Sequence, residues 1–267
     1  MVTAAPYYSD RLMTERARHG LAQLSGRRAL VIGGSGGIGR AVARGLAKRG
    51  ADLFLTGGSD ASRLAASLKE MRGLGIGAEG RLVNISRISN LVEMLPELGS
   101  IDILVCAFGP FLQKALDSTS AAEWTDAVLL NLALPGSLAS ALLPGMVARS
   151  WGRMVFFGGT GTDGIRAYRT NAAYAAAKTG LGVLAKSLAA EYADRNIAAF
   201  VVCPGLVDTE YLTSGLRAEL AAKSPRSTLL PADDIGECAA GLAAADPCIA
   251  SGGVFSFDGG LGFRKMV

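Results

Sequence analysis

Val31-Ile32-Gly33-Gly34-Ser35-Gly36-Gly37-Ile38-Gly39-Arg40 joins an apolar run, Ala29–Ile32, to a helix-forming segment, Ala41–Lys48. The apolar run reads as a short buried strand. A strand, a glycine turn and a helix bring bare backbone N–H groups and a helix N-terminus to one point, which suits a phosphate or pyrophosphate. The glycines allow three registers. Gly34, Gly36 and Gly39 fit G-x-G-x-x-G, the dinucleotide fingerprint. Gly33, Gly37 and Gly39 fit G-x-x-x-G-x-G. Gly34 to Gly39 also has P-loop spacing, but Arg40-Ala41 stands where a P-loop needs Lys and Ser or Thr. Glycines also make tight strand-to-helix turns that bind nothing, so the stretch alone does not establish a nucleotide site.

On either side of this turn the pattern is regular. Short apolar runs at Ala29–Ile32, Asp52–Thr56, Gly80–Ile85, Ile101–Ala107, Arg153–Phe157, Ile197–Val202 and Val254–Phe257 read as strands. Between them, Gly39–Arg49, Ala61–Gly73, Ile88–Leu98, Ala121–Ser150, Asn171–Asp194, Thr209–Lys223 and Asp233–Ala245 read as helices. This alternation predicts an α/β fold, a Rossmann-like doubly wound sheet of seven parallel strands with helices on both faces. Ligands of such sheets bind at the carboxyl ends of the strands. No linker or repeat divides the chain, so residues 26–267 are expected to form one domain. Residues 1–25, which carry Asp10, Arg11, Glu15, Arg16, Arg18 and His19, are expected to be an extension before it.

Composition narrows the function. Half of the 267 residues are hydrophobic and 19% are charged, enough apolar material for a large core. The formal charge is +4 with scattered basic residues, so nucleic acid is not implied and an anionic cofactor suffices. Cys106, Cys203, Cys238 and Cys248 have no C-x-x-C spacing, and His19 is the only histidine. A metal site, a disulfide framework and Ser-His-Asp or Cys-His chemistry are therefore not expected, and a reduced cytoplasmic setting is. The N-terminus lacks the apolar stretch of a signal peptide. The apolar run Ala127–Ala148, broken by Asn131, Pro135 and Pro144, reads as a buried helix rather than a membrane span.

Tyr174 and Lys178 stand four apart in an alanine-rich helix, Tyr174-Ala175-Ala176-Ala177-Lys178, and so share one face. A cation beside a phenol lowers its pKa and fits it for proton exchange with a carbonyl or alcohol. On its own, such a pair is more often a surface lysine and a core tyrosine. Together with the glycine turn, however, it resembles the classical short-chain dehydrogenase/reductase family from about Arg28 to Gly260. That family's Thr-Gly-x-x-x-Gly-x-Gly motif selects Gly33, Gly37 and Gly39, with Ile32 in the threonine place. Asp102 and Cys106-Ala107-Phe108-Gly109 correspond to its Asn-Asn-Ala-Gly segment, with both asparagines replaced. Asn131 corresponds to its helix asparagine, Pro204-Gly205-Leu206-Val207-Asp208-Thr209 to its Pro-Gly-x-x-x-Thr, and Phe257-Asp258-Gly259-Gly260 to the end of its last strand.

The resemblance implies roles. Tyr174 would be the general acid/base. Lys178 would lower its pKa and hold the nicotinamide ribose, and Asn131 would hold a relay water. Gly33, Ser35, Gly37, Ile38, Gly39, Ser59, Asn84, Ile85, Ala107 and Gly109 would contact the dinucleotide, as would Tyr174 and Lys178, and Pro204, Gly205, Val207 and Thr209 near the nicotinamide. The family's catalytic serine is absent. Counting from Asn131 puts its place near Gly159, and counting back from Tyr174 puts it near Gly161; Thr160, between them, is the expected substitute, with Thr162 second. No acid stands at Gly57 after the second strand, where one would bind a ribose diol, and Ser59 and Arg63 follow. NADP is therefore expected over NAD.

The substrate would be a small carbonyl or alcohol, covered by a lid near Glu210–Leu230. Tyr211, Leu212, Leu216, Arg217, Lys223 and Arg226 belong to that lid; Phe108, Phe111, Arg166, Tyr168 and Arg169 are further candidates. In this family the helices matching Ala121–Ser150 and Asn171–Asp194 form dimer interfaces, so a homo-oligomer, dimer or tetramer, is expected, with no nucleic acid or membrane partner. Rival expectations are a dehydratase or epimerase on the same fold, or a non-catalytic dinucleotide-binding scaffold.

Overall fold

The computed structural model describes residues 23–85 and 88–263. Seven strands form one parallel sheet in the order β3-β2-β1-β4-β5-β6-β9. They are β1 (Arg28–Ile32), β2 (Asp52–Gly57), β3 (Ala78–Leu82), β4 (Ile103–Cys106), β5 (Gly152–Phe157), β6 (Ile197–Pro204) and β9 (Val254–Phe257). Two further short strands, β7 (Val207–Asp208) and β8 (Leu230–Pro231), pair with each other outside the sheet. The doubly wound architecture expected from the alternation is the one observed.

The central strands are continuous apolar runs because both faces are covered. In β1, Ala29 and Val31 point into one core, with helices α1 (Gly37–Lys48), α2 (Ala61–Arg72) and α8 (Ala232–Ala244). Leu30 and Ile32 point into the other, with α3 (Ile88–Val92), α5 (Leu134–Ala148) and α6 (Ala172–Tyr192). Leu24 is fully buried in the first core and donates its N–H to the Arg49 carbonyl at 2.9 Å. The packed body thus takes in the end of the segment assigned to the N-terminal extension; residues 1–22 and His19 lie outside the described residues.

Several elements differ from their predicted bounds for local reasons. The helix expected over Ile88–Leu98 stops at Val92 and resumes as a 3-10 turn, Leu95–Leu98; Pro96 lacks the N–H a continuous helix needs. β3 lies two residues earlier than its apolar run because it is an edge strand and tolerates Glu79 and Arg81. The helix read as Ala121–Ser150 is α4 (Ala121–Val128), a π turn (Leu129–Ala133) and α5. The whole stretch Ala121–Ala148 is long and apolar enough to cross a membrane by composition. Here it lies on the sheet, with Leu134, Leu138, Ala139, Leu142 and Met146 buried. α7 (Ser214–Lys223) starts five residues later than predicted, where the Thr213 hydroxyl accepts from the Leu216 N–H and caps it.

Candidate active site

The site forms where five strands end at one edge of the sheet. After β1, Gly33 (φ +80) and Gly37 (φ +52) take left-handed backbone that a side chain would strain. A Cβ at Gly39 would lie 2.3 Å from the Gly33 carbonyl oxygen. Gly36 is extended (φ −170), so its backbone imposes no glycine, and what a Cβ there would meet is the side chains of Glu210 and Tyr211 rather than the turn itself. The turn therefore uses the Gly33, Gly37, Gly39 register, and the G-x-G-x-x-G match is incidental. Ser35 is buried in the turn, its carbonyl accepting from the Ser67 hydroxyl at 3.0 Å.

Beside this turn lies a cleft of about 490 Å³ lined by Gly33, Ser35, Gly37, Ile38, Ser59, Arg63, Ala107, Gly109 and Thr209. A second cavity, about 540 Å³, is lined by Phe111, Gln113, Gly159, Thr160, Asn171, Tyr174, Lys178, Pro204, Gly205, Leu220 and Lys223. Both share Ile38, Ala107, Phe108 and Gly109, so they make one trough running from the glycine turn to Tyr174. Asn84 and Ile85 line neither part; the Asn84 carbonyl accepts from Asn90 Nδ2 at 2.7 Å. Val207 pairs with Leu230 and packs on the core rather than lining the trough.

α6 brings Tyr174 and Lys178 into the trough from one face, as their spacing requires. Lys178 Nζ donates to the Phe157 carbonyl at 2.7 Å, which ties it to the end of β5. It lies 5.8 Å from the Tyr174 ring centroid. Burial pushes the Lys178 ammonium down to about 8. Burial also pushes the Tyr174 phenol up to about 12, with Cys203 and Tyr168 adding to the rise. The lowering of the phenol expected from Lys178 is not what the folded chain shows: desolvation dominates and every influence on the phenol raises it. The Phe111 ring meets Tyr174 edge-on at 5.0 Å and helps to bury it.

Asn131 sits inside the π turn. The wider turn lets its side chain fold inward, where Nδ2 donates to the Ala127 carbonyl at 3.0 Å and the Pro110 carbonyl at 3.2 Å. Its Oδ1 is buried without a partner. A Cβ on Gly109 would fall 2.2 Å from that Oδ1 and 2.8 Å from Lys178 Nζ, so both heads converge on bare backbone.

The loop after β5 turns both threonine hydroxyls back onto the chain. The Thr160 hydroxyl donates to the Pro204 carbonyl at 3.1 Å. The Thr162 hydroxyl accepts from the Gly159 N–H at 2.8 Å and donates to the Gly159 carbonyl at 3.0 Å. Position 159 is the one that faces the phenol, for a Cβ there would lie 2.8 Å from Tyr174 Oη. The forward count from Asn131 had pointed to it, but a residue without a side chain gives no sign of a role. Of the expected substrate-end residues, Phe108, Phe111 and Lys223 line the cavity, whereas Arg166 pairs with Asp163 at 3.0 Å. Tyr211 lies against the glycine turn instead. Gln113, Asn171 and Leu220 line the substrate end without having stood out in the sequence.

The sequence model of the short chain dehydrogenase family matches residues 27–219. The chain is 34% identical over 244 residues, 88% of its length and 97% of the relative's, to the 3-oxoacyl-(acyl-carrier-protein) reductase FabG of Escherichia coli. It is 27% identical to D-beta-hydroxybutyrate dehydrogenase of Cupriavidus necator over 257 residues, covering 89% and 98% of the two chains. Among solved structures, an Agrobacterium tumefaciens 3-oxoacyl (acyl-carrier-protein) reductase with NADP bound superposes with a TM-score of 0.81 at 28% identity, over 95% of this chain and 98% of that one.

Proposed function

The chain belongs to the short-chain dehydrogenase/reductase family, and on that premise we propose that it transfers hydride between NADP(H) and a carbonyl or alcohol carbon, with 3-oxoacyl thioesters and related ketones as the substrate class. The observation that carries this reading is the convergence of Tyr174, Lys178 and the unpartnered Asn131 Oδ1 at one end of a trough whose other end is the glycine turn. The trough fits a dinucleotide. Its backbone N–H groups at the start of α1 already hold a carboxylate, that of Glu210 on the Gly37 N–H at 3.0 Å. Gly33, Ser35, Gly37, Ile38, Gly39, Ala107, Gly109 and Thr209 would hold the diphosphate half, and Pro204, Gly205 and Lys178 the nicotinamide half. Bound there, the cofactor supplies or accepts the hydride.

Tyr174 does the proton chemistry. Its phenol stays protonated at neutral pH and donates to the carbonyl oxygen as that oxygen gains charge. Lys178 and Asn131 orient the ribose and a relay water that returns the proton. With no side chain at Gly159, Thr160 supplies the second donor to the carbonyl once its bond to Pro204 is exchanged. Arg63 and Ser59 line the cleft where the 2′-phosphate of NADP would lie, which supports NADP, and the phosphate would replace Asp60 as the partner that the Arg63 guanidinium now has at 3.3 Å.

We assign residues 26–267 to one catalytic domain and residues 1–25 to an extension. The four free thiols support a reducing, cytoplasmic setting. Val128 and Val183, 37% and 68% exposed on α4 and α6, support a homo-oligomer through those helices, a dimer or a tetramer, rather than a membrane partner. The deciding experiment is absorbance-monitored turnover of NADPH and NADH with a panel of 3-oxoacyl thioesters and ketones, with titration of both cofactors. NADPH oxidation on at least one substrate is expected. No turnover with either cofactor would refute the enzyme, and equal or tighter binding of NADH would refute the cofactor preference.

A further inference from the structure

The anion cradle at the glycine turn is filled by the chain itself. Glu210 places both carboxylate oxygens on the Gly37 N–H, at 3.0 and 3.2 Å. A Cβ on Gly36 would lie 2.5 Å from Glu210 Oε1 and would overlap the Tyr211 hydroxyl, so the two side chains lie directly on bare glycine backbone. The Tyr211 ring stacks under the Arg63 guanidinium, 4.9 Å from centroid to carbon. Tyr211 and Arg63 thus line the cleft between Gly33 and Ser59, while Glu210 reaches the Gly37 N–H from the adjoining pocket lined by Arg40 and Arg44.

This strap is mechanically joined to the far end of the trough. β7 and β8 pin the two ends of the excursion between Asp208 and Leu230. Arg217 on α7 donates to Asp208 Oδ1 at 2.8 Å and to the Thr209 carbonyl at 3.3 Å. The same helix carries Leu220 and Lys223 into the wall of the cavity that holds Tyr174. Arg217 therefore links the two residues before Glu210 to the helix that walls the substrate end.

We propose that Glu210 is an internal competitor for the dinucleotide diphosphate: the cofactor binds by evicting Glu210 and Tyr211, and the eviction resets the Leu220 and Lys223 wall for substrate. This rests on reading the trough as a dinucleotide site. It gives a structural reason for cofactor to bind before substrate, and it lowers apparent cofactor affinity by the fraction of time the strap is closed.

The test is equilibrium titration of NADPH, and separately of inorganic pyrophosphate, on the full chain and on Glu210→Ala and Glu210→Asp. Glu210 is exposed apart from this contact, so both variants keep the core intact. For a strap closed about nine-tenths of the time, Glu210→Ala tightens NADPH about tenfold. Glu210→Asp keeps the charge but shortens the arm, and is expected to tighten nearly as much. Hydrogen exchange across residues 209–223 should rise in both variants and in the wild type on adding NADPH. Unchanged or weaker NADPH binding by Glu210→Ala overturns the proposal. Glu210→Asp binding like the wild type overturns it too, because only a general charge effect would then be at work. If no form binds NADPH or NADH, the proposed function falls. The pyrophosphate titration still decides the role of Glu210: tightening upholds the competition and an unchanged affinity rejects it.

Discussion

Tyr174 and Lys178 are both shifted by burial, and in opposite directions. The phenol is raised to about 12 and the ammonium lowered to about 8. At neutral pH the phenol keeps its proton, the form a reductase needs. Tyr174→Phe should lower turnover by at least about a hundredfold and leave NADPH affinity unchanged, because the lost group acts on a proton and not on the cofactor. Comparison of kcat with a cofactor titration checks this; loss of both would point to a structural role. Stability gives a second handle. Between pH 8 and 10.5 the unfolded lysine holds a proton that the folded one has released, so stability rises with pH across that window. The gain is on the order of 3 kcal/mol. The phenol has the reverse sign, because above pH 10 the unfolded tyrosine ionises while the folded one does not. Melting curves from pH 7 to 10 should therefore climb more steeply for the wild type than for Lys178→Met. Parallel curves would show that Lys178 is not desolvated as described. The pair's shared face was legible in its i, i+4 spacing, but the direction of the phenol shift was not. It depends on how deeply α6 and Phe111 bury the ring, which spacing does not encode.

Helix ends and turns hold these side chains in place, and they were unevenly legible. Pro96 announces a break, and the glycine turn announces itself. The π turn at Leu129–Ala133 has no sequence mark, though it carries Asn131, whose side chain reaches back to Ala127. The β7–β8 pair was invisible because each strand has two residues and its partner lies far along the chain. For the same reason the Glu210 to Gly37 contact, bridging 173 positions, could not be read. Gly159 was reachable by counting but carries no chemistry to notice. One local signature can be tested directly. Ser120 and Glu123 form a capping box at α4, and Lys114 joins it by an ion pair to Glu123 at 2.8 Å, fastening the loop that carries Phe111. Ser120→Ala should cost about 1 kcal/mol, which calorimetry would show as a fall of about 2–4 °C in Tm. The Lys114 ammonium holds the Glu123 carboxyl down at about 2, ahead of two hydrogen bonds from Ser120. This contribution is present above the ordinary carboxylate pKa and fades as pH falls toward 2.

The whole molecule places its chemistry at one edge of the sheet and its unpartnered apolar helix faces on another side. The parallel sheet and its covering on both faces followed from the alternation of apolar runs, because each central strand is buried on two faces and leaves a continuous signal; the order of the strands did not. The exposed valines of α4 and α6 carry an expectation for solution: light scattering at micromolar concentration should give a dimer or tetramer mass, and a monomer would remove that assignment. The pairing of β6 with β9 has a consequence of a different kind, for the chain as it is being made. β6 has eight buried residues, Ile-Ala-Ala-Phe-Val-Val-Cys-Pro, and its outer edge is covered only by the four residues of β9. Domains begin to fold during synthesis. Until Phe257 has left the ribosome, the longest strand of the sheet is open to pairing with any other chain. A stop codon after Ala250 should therefore yield insoluble protein on expression, and one after Gly262 soluble protein, as fractionation of the lysate would show. The last strand acts as the seal that ends a period of exposure lasting from the emergence of β6 to the emergence of β9.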